Sequence, residues 1–330
     1  MSSQRRGHDE QPTGQERRRN EPTPLGQPTG DLDLPFFSYG SFSPNQLAFA
    51  QIEGFGPMVD EALLRDHHLL IRDGLPLLVS GGLQVFGTVI RFPRKHAPEA
   101  YARIGAFEPA EQYAWGEVEI GATRAWACFG RDPESGTAFV EPTQRWSCAD
   151  DPALAYGLPE TRDLIELALE PIGRPPIGHE PNWSQFFRLQ AAYVLLWTIV
   201  ERVATFRYGA VGGTRKRVEK VEKEPEVMAV VARLGVPARG PYRPLYDVLG
   251  PHRPPITIER SGAGAFSYWY RVRCSVAHRG KAGLADWRLL GDCTTDLYNT
   301  LVTLLQGWLP ELRESWGGEA ALLPERLPRV

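Results

Sequence analysis

Residues 1–33 carry almost no large apolar side chains and are filled with Gln, Arg, Glu, Pro, Gly and Thr. Such a stretch has too little apolar surface to offset the entropy of ordering, which predicts a disordered tail over 1–33. From Leu34 the texture changes to short apolar runs broken by Gly and Pro. "PFFSYG" and "HHLLIRDGLPLLV" read as strand and turn. "GGLQVFGTVIRF" alternates as a strand does after a Gly-Gly turn, and "WGEVEI" and "RAWACFG" continue the series. One helical stretch, roughly Ala97 to Ile104, interrupts them. The pattern over 34–150 predicts an α+β module with a small mixed β-barrel or sheet.

The Pro- and Gly-rich "EPIGRPPIGHEPN" marks a linker, placed over 151–182, and beyond it the period becomes helical. "SQFFRLQAAYVLLWTIVERVATFRYG" opens on Ser184 as an N-cap and stops near Gly209. "EPEVMAVVARLG" is a shorter amphipathic helix ending at Gly235. In "TTDLYNTLVTLLQGWL", Leu297, Leu301, Leu304 and Trp308 recur at helical spacing. An all-α bundle over 183–315 follows, with 316–330 as a second tail. The apolar stretch Leu189 to Val200 is too short for a bilayer span and is flanked by Arg188, Glu201 and Arg202, which predicts a buried helix and no membrane partner.

Composition narrows the function classes only slightly. A formal net charge of -3 over 330 residues gives no global pull toward nucleic acid or membrane, so a polyanion site would have to be local. The four cysteines include no C-x-x-C pair, so neither a disulfide framework nor a zinc site is expected. The polar N-terminus lacks an apolar secretory core, and free thiols fit a cytoplasmic setting. No metal or cofactor is expected.

Two stretches carry candidate chemistry. The first is Tyr39-Gly40-Ser41-Phe42, a tight turn after a strand, whose backbone N–H groups can hold an oxygen. It is followed by Gly-Leu-Pro at 74–76, by "VFGTVIRF" and by "YARIGAFEPAEQYAWGEVEI". This succession resembles the gamma-glutamylcyclotransferase-like family over about residues 35–150. The resemblance implies that the Tyr39–Phe42 loop cradles a small gamma-glutamyl compound, with Tyr113 nearby, and that Glu108 transfers the proton. Many members carry Asp where this chain has Gly105, and Leu or Asn where it has Phe42. A gamma-glutamyl amide cyclises when its own α-amine attacks the γ-carbonyl, so one carboxyl of raised pKa suffices as base and then acid.

The second is "YRVRCSVAHRGK", residues 270–281, which with the long helix bearing Glu201 resembles the HEPN superfamily over about residues 183–315. That resemblance implies an R-x4-6-H site for metal-independent RNA cleavage, commonly completed across a homodimer and common in toxin–antitoxin systems. His278 would be the acid–base group and Arg273 the phosphate holder. Arg271, two helical turns before the histidine, lies closer to its face than Arg273 does. The alternative is structural, with Arg273 paired to Glu201 inside a bundle that binds or dimerises without chemistry.

Overall fold

The computed structural model of the protein describes residues 22–138, 143–169, 183–209, 213–236, 245, 255–279, 284–316 and 322–323. Asp73 and Gly74 take φ of 53° and 74°. Two positive φ angles in succession are what a two-residue hairpin turn of matching twist requires. This turn joins β2 (Met58–Arg72) to β3 (Leu75–Arg91), which pair antiparallel from Met58↔Arg91 to Arg72↔Leu75. Gly81-Gly82, expected as a turn, lies instead inside β3. The register shifts opposite it, between Arg65 and His67, where Asp66 adopts φ 58°. Gly81 passes against the His68 ring, which leaves no room for a β-carbon. The glycines therefore mark a bend in one long strand rather than a chain reversal.

Bent there, β3 meets two neighbours. Its Thr88–Ile90 segment pairs antiparallel with β1 (Phe36–Ser38), while Leu78 pairs parallel with Phe129 of β5 (Thr123–Gly130). β5 also pairs with β1 at Phe36↔Trp126, and along its length with β4 (Tyr113–Ile120). β1, β3 and β5 thus form a closed circuit within one mixed sheet of order β4-β5-β1-β3-β2-β6, where β6 is Thr137–Ala138. β7 (Thr143–Gln144) adds to β3.

One face of this sheet is covered by α1 (Ala97–Phe107), which buries Ala97, Ala100, Tyr101, Ile104 and Phe107 at helical spacing against Phe36 and Trp126. The chain before β1 crosses the same face, so the expected disorder of 1–33 is corrected for residues 22–33. Leu25 N–H donates to the Glu108 carbonyl at 2.8 Å, and Gly26 accepts from Trp115 Nε1 at 2.8 Å. Asp31 accepts from Trp126 Nε1 at 2.8 Å. A polar strap of this kind is held by its backbone, which apolar patterning does not register. Residues 1–21 lie outside the described residues.

The other face merges with the helices: α2 (Leu158–Leu169), α3 (Trp183–Tyr208), α4 (Thr214–Glu222), α5 (Pro225–Arg233), α6 (Ala265–Arg279), α7 (Leu284–Trp308) and α8 (Pro310–Ser315). The fold is therefore α+β. The expected linker over 151–182 is corrected in its first part, because α2 buries Leu158, Ile165 and Ala168 against the bundle. Residues 170–182 lie outside the described residues. One apolar core runs from Phe37 and Val85 of the sheet through Trp146 and Phe206 to Tyr193 and Leu301.

α3 is 26 residues long, more than the stretch Leu189 to Val200, and by length and composition alone suffices to cross a membrane. Its Leu189, Tyr193, Leu196, Trp197 and Val200 are buried in the bundle. The expected second tail is pinned at one point, where Asn299 exchanges hydrogen bonds with Leu323, accepting at 2.9 Å and donating at 3.1 Å.

Candidate active site

Pro109 cannot continue a helix and pushes the residue before it toward extended backbone. α1 accordingly ends at Phe107, and Glu108 takes φ -92°, ψ 131°. The strap fixes that backbone from outside through Leu25. Gly105 packs directly on Gly26, where any β-carbon would overlap the Gly26 carbonyl. The strap thus excludes any side chain at position 105.

Across from Glu108, the chain leaves β1 at Tyr39. The turn is closed by Ser43 N–H to the Gly40 carbonyl at 3.0 Å and Ala48 N–H to the Ser41 carbonyl at 2.9 Å. The amides of Gly40, Ser41 and Phe42 donate to no protein acceptor among the described residues. Tyr39 Oη donates to the Cys128 carbonyl of β5, and Tyr113 Oη to the Pro76 carbonyl at 3.2 Å. These hydroxyls tie the loop and β4 to their neighbours while the rings serve as walls.

The loop, Glu108 and Tyr113 line a common cavity of about 50 Å³, enough for a few waters or a small headgroup. Glu108 lines the cavity and is half-buried, and its carboxyl makes no hydrogen bond among the described residues. Burial pushes its pKa up to about 8. Burial likewise raises Tyr39, Tyr113 and Cys128, and the nearby Glu108 charge raises each further. One cavity thus gathers a carboxyl of raised pKa and a loop whose three amides have no acceptor among the described residues, groups of the kind that can exchange a proton and hold an oxygen.

All six front-half residues singled out by sequence (Tyr39, Gly40, Ser41, Phe42, Glu108 and Tyr113) meet here. Sequence reasoning missed Cys128 and Pro76, and also Thr205 and Phe206, which reach the cavity from α3. The last two lie in an apolar helix with nothing local to mark them. The signal that bears on them is Gly209 at the helix end, whose φ of 84° lets α3 press on Phe107.

Glu201, Arg271 and Arg273 do not line this cavity. Arg273 Nη2 lies 3.5 Å from Glu201 Oε1, both partly exposed, and its guanidinium stands 6.0 Å from the Tyr270 ring centre. Arg271 lies on the same helix, and the His278 side chain is outside the described residues. Among the described residues no group of three His, Cys, Asp or Glu side chains is placed to hold a metal ion.

No family model matches the chain, and no curated protein matches it. Among solved structures, a crystal structure of an uncharacterized protein from Pyrococcus horikoshii is similar at 16% identity and a TM-score of 0.27, covering 37% of this chain and 92% of that one.

Proposed function

We propose that the protein is a gamma-glutamylcyclotransferase-like enzyme that releases an amine from a gamma-glutamyl amide and forms 5-oxoproline. The observation that carries this reading is the half-buried Glu108 carboxyl, its pKa pushed up to about 8 by burial, sharing a small cavity with the loop of Gly40, Ser41 and Phe42, whose amides have no acceptor among the described residues. Glu108 takes a proton from the substrate's α-nitrogen as that nitrogen bonds to the carbonyl carbon of the γ-amide. The loop amides hold the γ-oxygen while it carries negative charge. The C–N bond to the departing amine then breaks, and Glu108 returns a proton to that nitrogen. No oxidant or cofactor enters the balance.

The test is incubation of the full chain with a panel of gamma-glutamyl amides, with 5-oxoproline and free amine measured by mass spectrometry. Glu108→Gln keeps the shape but cannot exchange the proton, so release is expected to stop while the folded spectrum stays the same. Equal release by the variant would remove the reading.

The rear half is read as a HEPN-like bundle in a supporting role. The ion pair of Arg273 with Glu201 supports the structural version of that resemblance, in which the arginine closes the bundle. We do not adopt the RNA-cleaving version.

A further inference from the structure

The cavity is not completed by the front half. Thr205 and Phe206 line it from the last turns of α3, and three contacts fix that helix end in place. Gly209 ends the helix flat against Phe107, where a β-carbon would stand 2.7 Å from the Phe107 carbonyl oxygen. Phe206 meets Trp146 edge to face at 5.9 Å, and Trp146 flanks Gly40, 3.9 Å from where a β-carbon would sit. The Arg202 guanidinium stands 4.5 Å from the centre of the Phe206 ring and donates to the Asp73 carbonyl at 2.5 Å. The helix therefore bridges the loop side of the site and the carboxyl side.

Among the described residues the lining contains no Lys, Arg or His. The guanidiniums of Arg72 and Arg202 stand outside it, engaged with the carbonyls of Gln112, Arg131 and Asp73 and with Asp151. On the ring-closing reading the loop amides are taken up by the glutamyl part, its γ-oxygen and its α-carboxylate. A second carboxylate on the departing side would sit beside Glu108 among Phe42, Phe107 and Phe206 with no cation among the described lining residues, a costly placement that also disfavours ionised Glu108.

Building on the ring-closing reading above, we propose that the end of α3 is the specificity wall of this pocket. Phe206 and Thr205 restrict the departing amine to a compact group without a carboxylate.

Two measurements on the full chain test this. Cys128 lines the same cavity, so its labelling by methyl methanethiosulfonate, mapped by peptide mass, reads access past the wall. Cys148, buried outside the cavity, reports any general loosening. Phe206→Leu is expected to speed Cys128 labelling several-fold, and Thr205→Leu to slow it several-fold. Thr205→Val should leave it unchanged, and none of the three should alter Cys148. Equal Cys128 rates in the wild type, Phe206→Leu and Thr205→Leu overturn the wall.

The second measurement compares kcat/KM for gamma-glutamyl ethylamide and gamma-glutamylglycine, which differ mainly by a carboxylate. A preference of ~10-fold or more for the ethylamide is expected. Parity, or preference for the glycine compound, overturns the exclusion. If neither amide is turned over, the ring-closing reading fails and the exclusion falls with it, while the labelling still decides whether α3 walls the cavity.

Discussion

Arg202 grips Asp151 with two nitrogens, Nε at 3.0 Å and Nη2 at 2.7 Å, and so fastens α3 to the segment that follows the sheet. Asp151 is 2% exposed at its side chain, and its other oxygen accepts the Ala153 amide at 3.0 Å. The same guanidinium sits on the Asp73-Gly74 turn, where a β-carbon on Gly74 would stand 2.5 Å from it. Removing one partner of such a pair leaves a buried charge uncompensated. Arg202→Ala is expected to lower stability by about 3 kcal/mol in urea unfolding, and Asp151→Asn added to it to recover part of the loss.

Glu108→Gln is expected to lower kcat/KM for a gamma-glutamyl amide by ~10²–10⁴-fold, the usual contribution of a placed proton-transfer group. Circular dichroism should match the wild type, because Gln fills the same space.

The raised pKa of Glu108 fixes two pH dependences. The proposed reaction requires the ionised form in the free enzyme, so kcat/KM should rise with pH along a limb centred near 8. Stability should run the other way. Between the ordinary value of 4.5 and about 8, the folded protein keeps a proton that the unfolded chain has lost. Stability is therefore full below that window and declines as pH rises through it. Melting curves of wild type and Glu108→Gln taken at pH 5 and pH 8.5 should diverge, with the variant the more stable at the higher pH.

Gly105→Ala drives a methyl group into the Gly26 carbonyl. The strap must lift or α1 must shift, at a cost of ~1–3 kcal/mol. Hydrogen exchange at the Leu25 amide, protected by Glu108, should quicken in this variant before exchange in β3 does.

Arg273→Ala breaks a pair that is partly open to solvent, and its loss should cost under ~1 kcal/mol. Neither it nor His278→Ala is expected to change 5-oxoproline release. An RNA cleavage assay on the wild type and both variants distinguishes the supporting role from a catalytic one: cleavage lost in both would reverse the assignment.

The order of motifs in the first half made much of the site legible. Tyr39–Phe42 and Glu108 are far apart in the chain, yet the turn chemistry of one and the proline after the other each announce themselves locally. The helix ends were legible for the same reason, since Gly209 and Gly235 take φ of 84° and 67° where the periodic patterns stop. What escaped was whatever depends on distant packing. Phe206 looks like any core residue of an apolar helix until α3 is laid against Phe107. Residues 22–33 are ordered by backbone bonds and two indole N–H groups, so composition misrepresents them. α2 was hidden because Pro152, Gly157 and Pro159 resemble a linker in sequence, although in the fold they stand at the start of a helix. Gly81-Gly82 resembles a turn because a bend within a strand and a reversal between strands use the same residue.

The seating of Gly209 on Phe107 also bears on biosynthesis. A growing polypeptide emerges with Glu108 long before α3 is made, so a nascent chain that stops short of that helix holds the carboxyl without its ceiling. The pocket is completed late in translation, when the rear of the molecule closes over the front. A product truncated ahead of α3 would keep the loop and the acid yet lack the enclosure that tunes them.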